Sequence, residues 1–149
     1  MQSAPQTSPQ PPDGLPTSPA HGSCLCGAVQ FKAALPPKWV AHCHCTRCQR
    51  AHGAAFVTWV GVDASRAEVS DPGGALSWYV TPEGASRGFC HTCGSPMFFK
   101  SPRWPGELHM ARALFLEPVD LAPQSHVHFD TRVHWVCLND GLPVEADAV

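Results

Sequence analysis

The apolar positions fall in short alternating stretches rather than at helical spacing. Ala28-Val29-Gln30-Phe31-Lys32 alternates, as expected of a strand with one buried face. Phe56 to Val62 is β-branched and aromatic and long enough to cross a sheet. Leu76 to Val80 reads as another strand, between the turn signals DPGG and TPEG. Pro96–Lys100 and Leu108–Arg112 give fainter strand patterns, and His126–Phe129 with Val133–Leu138 reads as a closing pair. One short helix is expected over Thr46–His52, directly after Cys45 and stopped by Gly53. Nothing repeats with a solenoid period. The expected fold class is therefore mainly β: a small, mostly antiparallel domain.

Composition narrows this further. Sixteen prolines and twelve glycines in 149 residues oppose long helices and favour short strands joined by turns. The length suits one domain, and 44% hydrophobic residues can fill one core. Residues 1–20, rich in Pro, Gln, Ser and Thr, have too little apolar surface to offset ordering and are expected to be a disordered tail. The folded domain is expected over 21–145, with 146–149 as a C-terminal tail. A formal charge of -2 gives no reason to expect nucleic acid or an anionic membrane as partner. No apolar run reaches membrane-spanning length, and the first 22 residues lack a basic n-region and an apolar h-region. The expected location is cytoplasmic.

That location changes the reading of the eight cysteines, which sort into Cys24-x-Cys26, Cys43-x-Cys45-x-x-Cys48, Cys90-x-x-Cys93 and a lone Cys137. Pairs one residue apart suit a shared ion better than a set of disulfides. A C-x-x-C is also the spacing of a redox pair, but three clusters within about seventy residues favour metal, and the spacings match neither ferredoxin pattern. Seven clustered thiols cannot fill two four-coordinate sites. Joining Cys24 and Cys26 to Cys90 and Cys93 makes a long-range clasp, and leaves Cys43, Cys45 and Cys48 as a local set with an open fourth position. Two zinc ions per chain are expected, one structural and one catalytic. Three thiolates leave a divalent ion with a net charge of -1, so binding an incoming sulfur is a more natural task there than activating water.

The segments GSCLCGAVQF at 22–31, CHCTRCQRAHGAAF at 43–56, FCHTCGSPMF at 89–98 and SHVHFDTRVHWVCLNDGLP at 125–143 together resemble the glutathione-dependent formaldehyde-activating enzyme family, which includes the centromere protein V domain. The resemblance runs from Gly22 to Pro143. It implies a β-rich Mss4-like fold, or tent, with a structural zinc on Cys24, Cys26, Cys90 and Cys93 and a catalytic zinc on Cys43, Cys45 and Cys48. It implies carbon–sulfur lyase chemistry: glutathione and formaldehyde condensing to S-hydroxymethylglutathione, and the reverse. The chain departs from the family at ARALFLEPVDL, 111–121, where a Gly-x-Leu-Asp type turn is common and Ala113–Glu117 has no glycine.

Other residues carry a functional and a plainer reading. Arg47 on the expected helix could meet a carboxylate of glutathione, whereas Arg50 reads as solvated surface. His42 and His44 could serve the open zinc position, but alternate residues of a knuckle are expected to face solvent. His52 reads as a helix-end residue and His91 as exposed. Phe56, Trp59, Trp78, Tyr79, Phe98 and Phe99 are expected to build the core, with some walling a cleft above the zinc. His126 and His128 should share one strand face. Cys137 reads as a buried small hydrophobe of a last strand. The alternative to an enzyme is a zinc-supported binding or carrier module without turnover. If both its zincs were structural, His42, His44 or His52 would have to close the triplet.

Overall fold

The computed structural model describes residues 19–117 and 122–145, which form the mainly β domain that the hydrophobic pattern predicts. The first strands are β1 (Ala20–Ser23), β2 (Gln30–Ala33), β3 (Trp39–Cys43) and, beyond helix α1 (Thr46–His52), β4 (Val57–Asp63). They are followed by β5 (Ala67–Ser70), β6 (Leu76–Val80), β7 (Ser86–Cys90), β8 (Pro96–Lys100), β9 (Glu107–Ala111), β10 (Ser125–Val127) and β11 (Val144–Glu145). A three-stranded sheet has the order β1-β2-β5, and an eight-stranded sheet the order β11-β10-β3-β4-β9-β8-β7-β6. Pairing is antiparallel except where β10 lies parallel to both β3 and β11.

Turn chemistry explains the hairpins. In DPGG the Asp71 carboxylate accepts from the Ala75 and Leu76 amides at 2.7 and 2.9 Å, which fixes the entry to β6. In TPEG the Thr81 amide donates to the Ala85 carbonyl at 2.7 Å, closing the β6–β7 hairpin. Phe31 and Phe98 meet edge to face at 5.5 Å between centroids, joining the small sheet to the large one. Around them lies a core of Val29, Val60, Met97 and Met110 that also contains Cys24 and Cys90. A second cluster, with Trp59, Val57 and Ala111, surrounds Cys43 and Cys48.

Four expectations are corrected at the ends of the chain. Ala20, placed by composition in the tail, is a buried residue of β1, while residues 1–18 and 146–149 lie outside the described residues. Val133–Leu138 is not a strand: both edges of β10 are already taken, by β3 and by β11, so no edge remains for it. Cys137 is accordingly exposed rather than buried. His128 does not share a strand face with His126, because its left-handed backbone (φ 53°) ends β10 and starts the 3-10 turn Phe129–Thr131.

Candidate functional site

The four-thiolate cluster is built from two knuckles. After Cys26, Gly27 takes φ 82° and its amide donates to the Cys24 carbonyl at 3.1 Å; after Cys93, Gly94 takes φ 78° and donates to the Cys90 carbonyl at 2.7 Å. The Leu25 amide donates to Ser95 Oγ at 3.0 Å, linking one knuckle to the other. The four sulfurs lie within 4.8 Å of one another, with Cys24 to Cys26 at 3.6 Å and Cys26 to Cys90 at 3.8 Å. Zinc–sulfur bonds of about 2.3 Å in a tetrahedron require sulfurs about 3.8 Å apart. The Val29 amide donates to Cys24 Sγ at 3.3 Å, and hydrogen bonding to Ser95 lowers the Cys93 thiol to about 5. Donor set and spacing fit zinc.

The triplet sits where β3 runs into α1. Cys43 ends β3, in register with Val57 of β4 and Val127 of β10. Cys45 is the helix N-cap, its sulfur accepting from the Cys48 amide at 3.2 Å, and Cys48 lies one turn on, buried. Gly53 closes the helix in the left-handed conformation, so the predicted span Thr46–His52 is the observed one. The three sulfurs also lie within 4.8 Å of one another. Among the described residues no fourth His, Cys, Asp or Glu joins them. Thus both cysteine groups could hold a metal ion, and both are compatible with zinc.

Cys43, Cys45 and Cys48 form part of the floor of a cleft of about 810 Å³, walled by Trp39, Trp59, Phe99 and Trp104. Trp59 and Phe98 are core residues as expected, but Tyr79 is exposed on the edge strand β6. Arg47 lines the cleft with its guanidinium on Glu83 Oε1 at 2.9 Å, both side chains more than half exposed. A different arginine faces the thiolates. Arg87 of β7 directs both terminal nitrogens at Cys48 Sγ, at 3.7 and 3.9 Å, with its guanidinium 4.9 Å from the centre of the Phe99 ring. Hydrogen bonds from Cys43 and Cys45, with the Arg87 charge adding, hold the Cys48 thiol far below its usual range; the same sharing pushes the Cys43 thiol up. Arg87 escaped the sequence reading because Ser86–Cys90, with a glycine at its centre, has little strand signal. The available clue was its position three residues before Cys90.

The knuckle histidines are not solvent-facing. His44 is buried, and its Nε2 lies 2.8 Å from His126 Nδ1. His126 Nε2 in turn lies 3.0 and 3.1 Å from the two Asp140 oxygens. A carboxylate only accepts, so His126 Nε2–H donates to Asp140. His44 Nε2 and His126 Nδ1 share a hydrogen bond whose direction the tautomers set. Burial lowers His44 to about 4 and keeps it neutral at pH 7. His42 Nδ1 is 2.8 Å from Thr58 Oγ1, and its ring lies against Phe56 and His126. His52 packs edge to face on Trp59, and His91 is exposed. The backbone of His44 is held as well: its amide donates to the Val127 carbonyl at 3.0 Å, and its carbonyl accepts from Gln49 Nε2 at 2.6 Å and Thr131 Oγ1 at 3.1 Å. Alternating exposure failed as a guide here because β10 and the residues after it cover the back of the knuckle.

Of the departing segment, Ala111 and Leu114 pack against the cluster around Cys43 and Cys48, and none of residues 111–117 lines the cleft. Phe115 bridges to Gly22, and the Glu117 carboxylate accepts from the His21 amide at 2.6 Å; residues 118–121 lie outside the described residues. Among the described residues no helix is long and apolar enough to cross a membrane.

Known proteins resemble this chain. A protein of Halomonas elongata, provisionally named a glutathione-dependent formaldehyde-activating enzyme, is 27% identical over 123 residues, which is 78% of each chain. An uncharacterized lyase of Schizosaccharomyces pombe is 27% identical over 79 residues, covering 53% of this chain and 56% of its own. The crystal structure of a Rhodobacter sphaeroides protein superposes with a TM-score of 0.56 at 28% identity, over 67% of this chain and 90% of that one. The family profile described as glutathione-dependent formaldehyde-activating enzyme matches residues 19–131. With that match spanning most of the domain, the chain belongs to the glutathione-dependent formaldehyde-activating enzyme family.

Proposed function

We propose that this protein is a zinc-dependent carbon–sulfur lyase that joins and separates a small thiol, glutathione in the first instance, and a one-carbon aldehyde. The observation that carries the reading is the triplet: three convergent cysteines at the floor of a large cleft, with no fourth ligand among the described residues. Cys43, Cys45 and Cys48 would hold a zinc ion, which would supply the charge that lets a bound thiol ionise near neutral pH. Cys24, Cys26, Cys90 and Cys93 would hold a structural zinc.

The chain's own residues do the rest. Trp39, Trp59, Phe99 and Trp104 give the cleft apolar walls that keep water away from a reacting sulfur. Arg103 lines the same cleft and offers a cation to a carboxylate of glutathione, and Arg47 can do so in exchange for Glu83, its present partner. In the condensing direction the thiol gives up its proton, sulfur bonds to the carbonyl carbon, and the oxygen takes a proton. In the lyase direction that carbon–sulfur bond breaks. Nothing is oxidised or reduced.

His42, His44 and His52 do not join the triplet, which favours an exchangeable site over a closed structural one. Magnetisation-transfer NMR between glutathione and its hydroxymethyl adduct tests the reading. The zinc-loaded protein should accelerate exchange above the spontaneous rate, and Cys48→Ser should remove the acceleration. Exchange at the spontaneous rate, with both sites demonstrably loaded, would leave a thiol carrier without turnover.

A further inference from the structure

A site built of three thiolates has a charge problem if its fourth ligand is also a thiolate. Three cysteines bring a divalent ion to a net charge of -1, and an incoming thiolate brings it to -2. The four-thiolate cluster carries that same charge and disperses it through donors on its sulfurs, among them the Val29 amide on Cys24 and the Ser95 hydroxyl beside Cys93 at 3.2 Å. At the triplet the Cys48 amide donates to Cys45 Sγ, and the Trp59 side chain hydrogen-bonds to Cys48. To these it adds a full positive charge, Arg87. Its guanidinium reaches Cys48 Sγ with both terminal nitrogens, lies over Phe99, and among the described residues makes no ion pair with a carboxylate.

Arg47 makes the contrast clear, because Glu83 already takes up its charge at the cleft rim. Arg87 is also fixed by register, between Tyr79 on β6 and Phe99 on β8, so its charge is delivered by the sheet and not by a mobile loop. A guanidinium stays charged at every working pH and is more weakly hydrated than an ammonium, which suits it to a partly buried place beside a polarizable sulfur.

We propose that Arg87 is the positioning residue that makes the triplet accept an anionic fourth ligand, acting on the charge of the sulfurs rather than on the carboxylates of the substrate. The inference rests on the exchangeable-thiol reading above. It predicts that Arg87 sets affinity for every small thiol alike, whether or not the thiol carries a carboxylate, while carboxylate-bearing thiols gain their selectivity from other cations of the cleft.

The test uses the full chain with cobalt(II) in both sites. Glutathione and 2-mercaptoethanol are titrated at fixed pH while the sulfur-to-cobalt charge-transfer band is followed, and two bound cobalts per chain serve as the check that each variant is intact. In the native protein both thiols should add intensity to the band that the cysteine thiolates already give. R87M should weaken both by a similar factor, about ten- to a hundred-fold, and R87K should recover part of the loss by restoring charge without the fork. Weakening of glutathione alone would make Arg87 a carboxylate contact and overturn the proposal, as would unchanged binding of both thiols. If neither thiol changes the band of the native protein, the exchangeable-thiol reading itself fails, and the proposal falls with it.

Discussion

Replacing Cys90 and Cys93 together by serine should destabilise the protein far more than replacing Cys45 and Cys48 together. The reason is the length of chain each site ties. Cys26 and Cys90 are 64 residues apart, and their sulfurs lie at 3.8 Å. Treating the ion as a cross-link, closing a loop of that length removes about 4 kcal/mol of unfolded-chain entropy, whereas the short loop from Cys43 to Cys48 removes about 2 kcal/mol. Each double variant also buries one hydroxyl in place of a thiol, since Cys90 and Cys48 are both buried, so that cost cancels in the comparison. The difference of about 2 kcal/mol corresponds to a gap of about 6–10 °C in Tm for a domain of this size. Thermal unfolding of reduced, metal-loaded proteins by circular dichroism measures it. Equal losses, or a larger loss in the Cys45/Cys48 variant, would refute the long-range clasp as the stabilising site.

Metal analysis of reductively purified protein should give two zinc ions per chain, and one in the Cys45/Cys48 double variant; a native value near one would remove the two-site reading. Gly61→Ala should cost about 1–3 kcal/mol and weaken thiol binding, because its Cβ would lie 2.2 Å from Trp39 Cε2 on the cleft wall; denaturant unfolding and the cobalt titration check the two effects. Asp140→Ala leaves the buried His126 ring without its carboxylate and should cost about 1–3 kcal/mol, and it should speed chelator removal of one of the two metals while sparing the other. His52 is lowered to about 4, by burial first and the Arg87 charge second. Its stabilising neutral form is therefore fully present above the unfolded value of about 6.5 and is lost as pH falls from there towards 4. His52→Gln should flatten the fall of Tm over that window, and an unchanged slope would count against the burial.

The strands with alternation or turn chemistry in their sequence were legible, and those held mainly by partners were not. Leu76–Val80 was bounded correctly because Asp71 and Thr81 write its turns, and Thr46–His52 because Cys45 and Gly53 supply both caps. β3, Trp39–Cys43, hides a histidine among its apolar residues, and that histidine is tolerated only because Thr58 and His126 meet it across the sheet. β11 is two exposed residues and exists through pairing with β10 alone. The two cysteine groups were the most legible feature of the candidate site, since close spacing of seven thiols has few explanations. Arg87 and Asp140 were the least, since each acts on a residue tens of positions away or across a turn that composition does not announce.

The two cysteine groups differ in what surrounds them more than in what they contain. The four-thiolate cluster lies where two knuckles meet and brings together segments 64 residues apart. The triplet is met by different chemistry on two sides. From the cleft side, Arg87 of β7 touches Cys48 and aromatic walls limit water. On the other side, β10 and the chain after it hold the knuckle through Val127, Thr131 and the line from Asp140 through His126 to His44. An exchangeable ligand position needs both. The three permanent thiolates must stay in place when the fourth leaves, which argues for a rigid rear support. The charge must also be tolerable when the fourth arrives, which argues for a fixed cation in front. A closed structural site would require neither the cation nor the cleft, because its fourth ligand would supply the missing constraint.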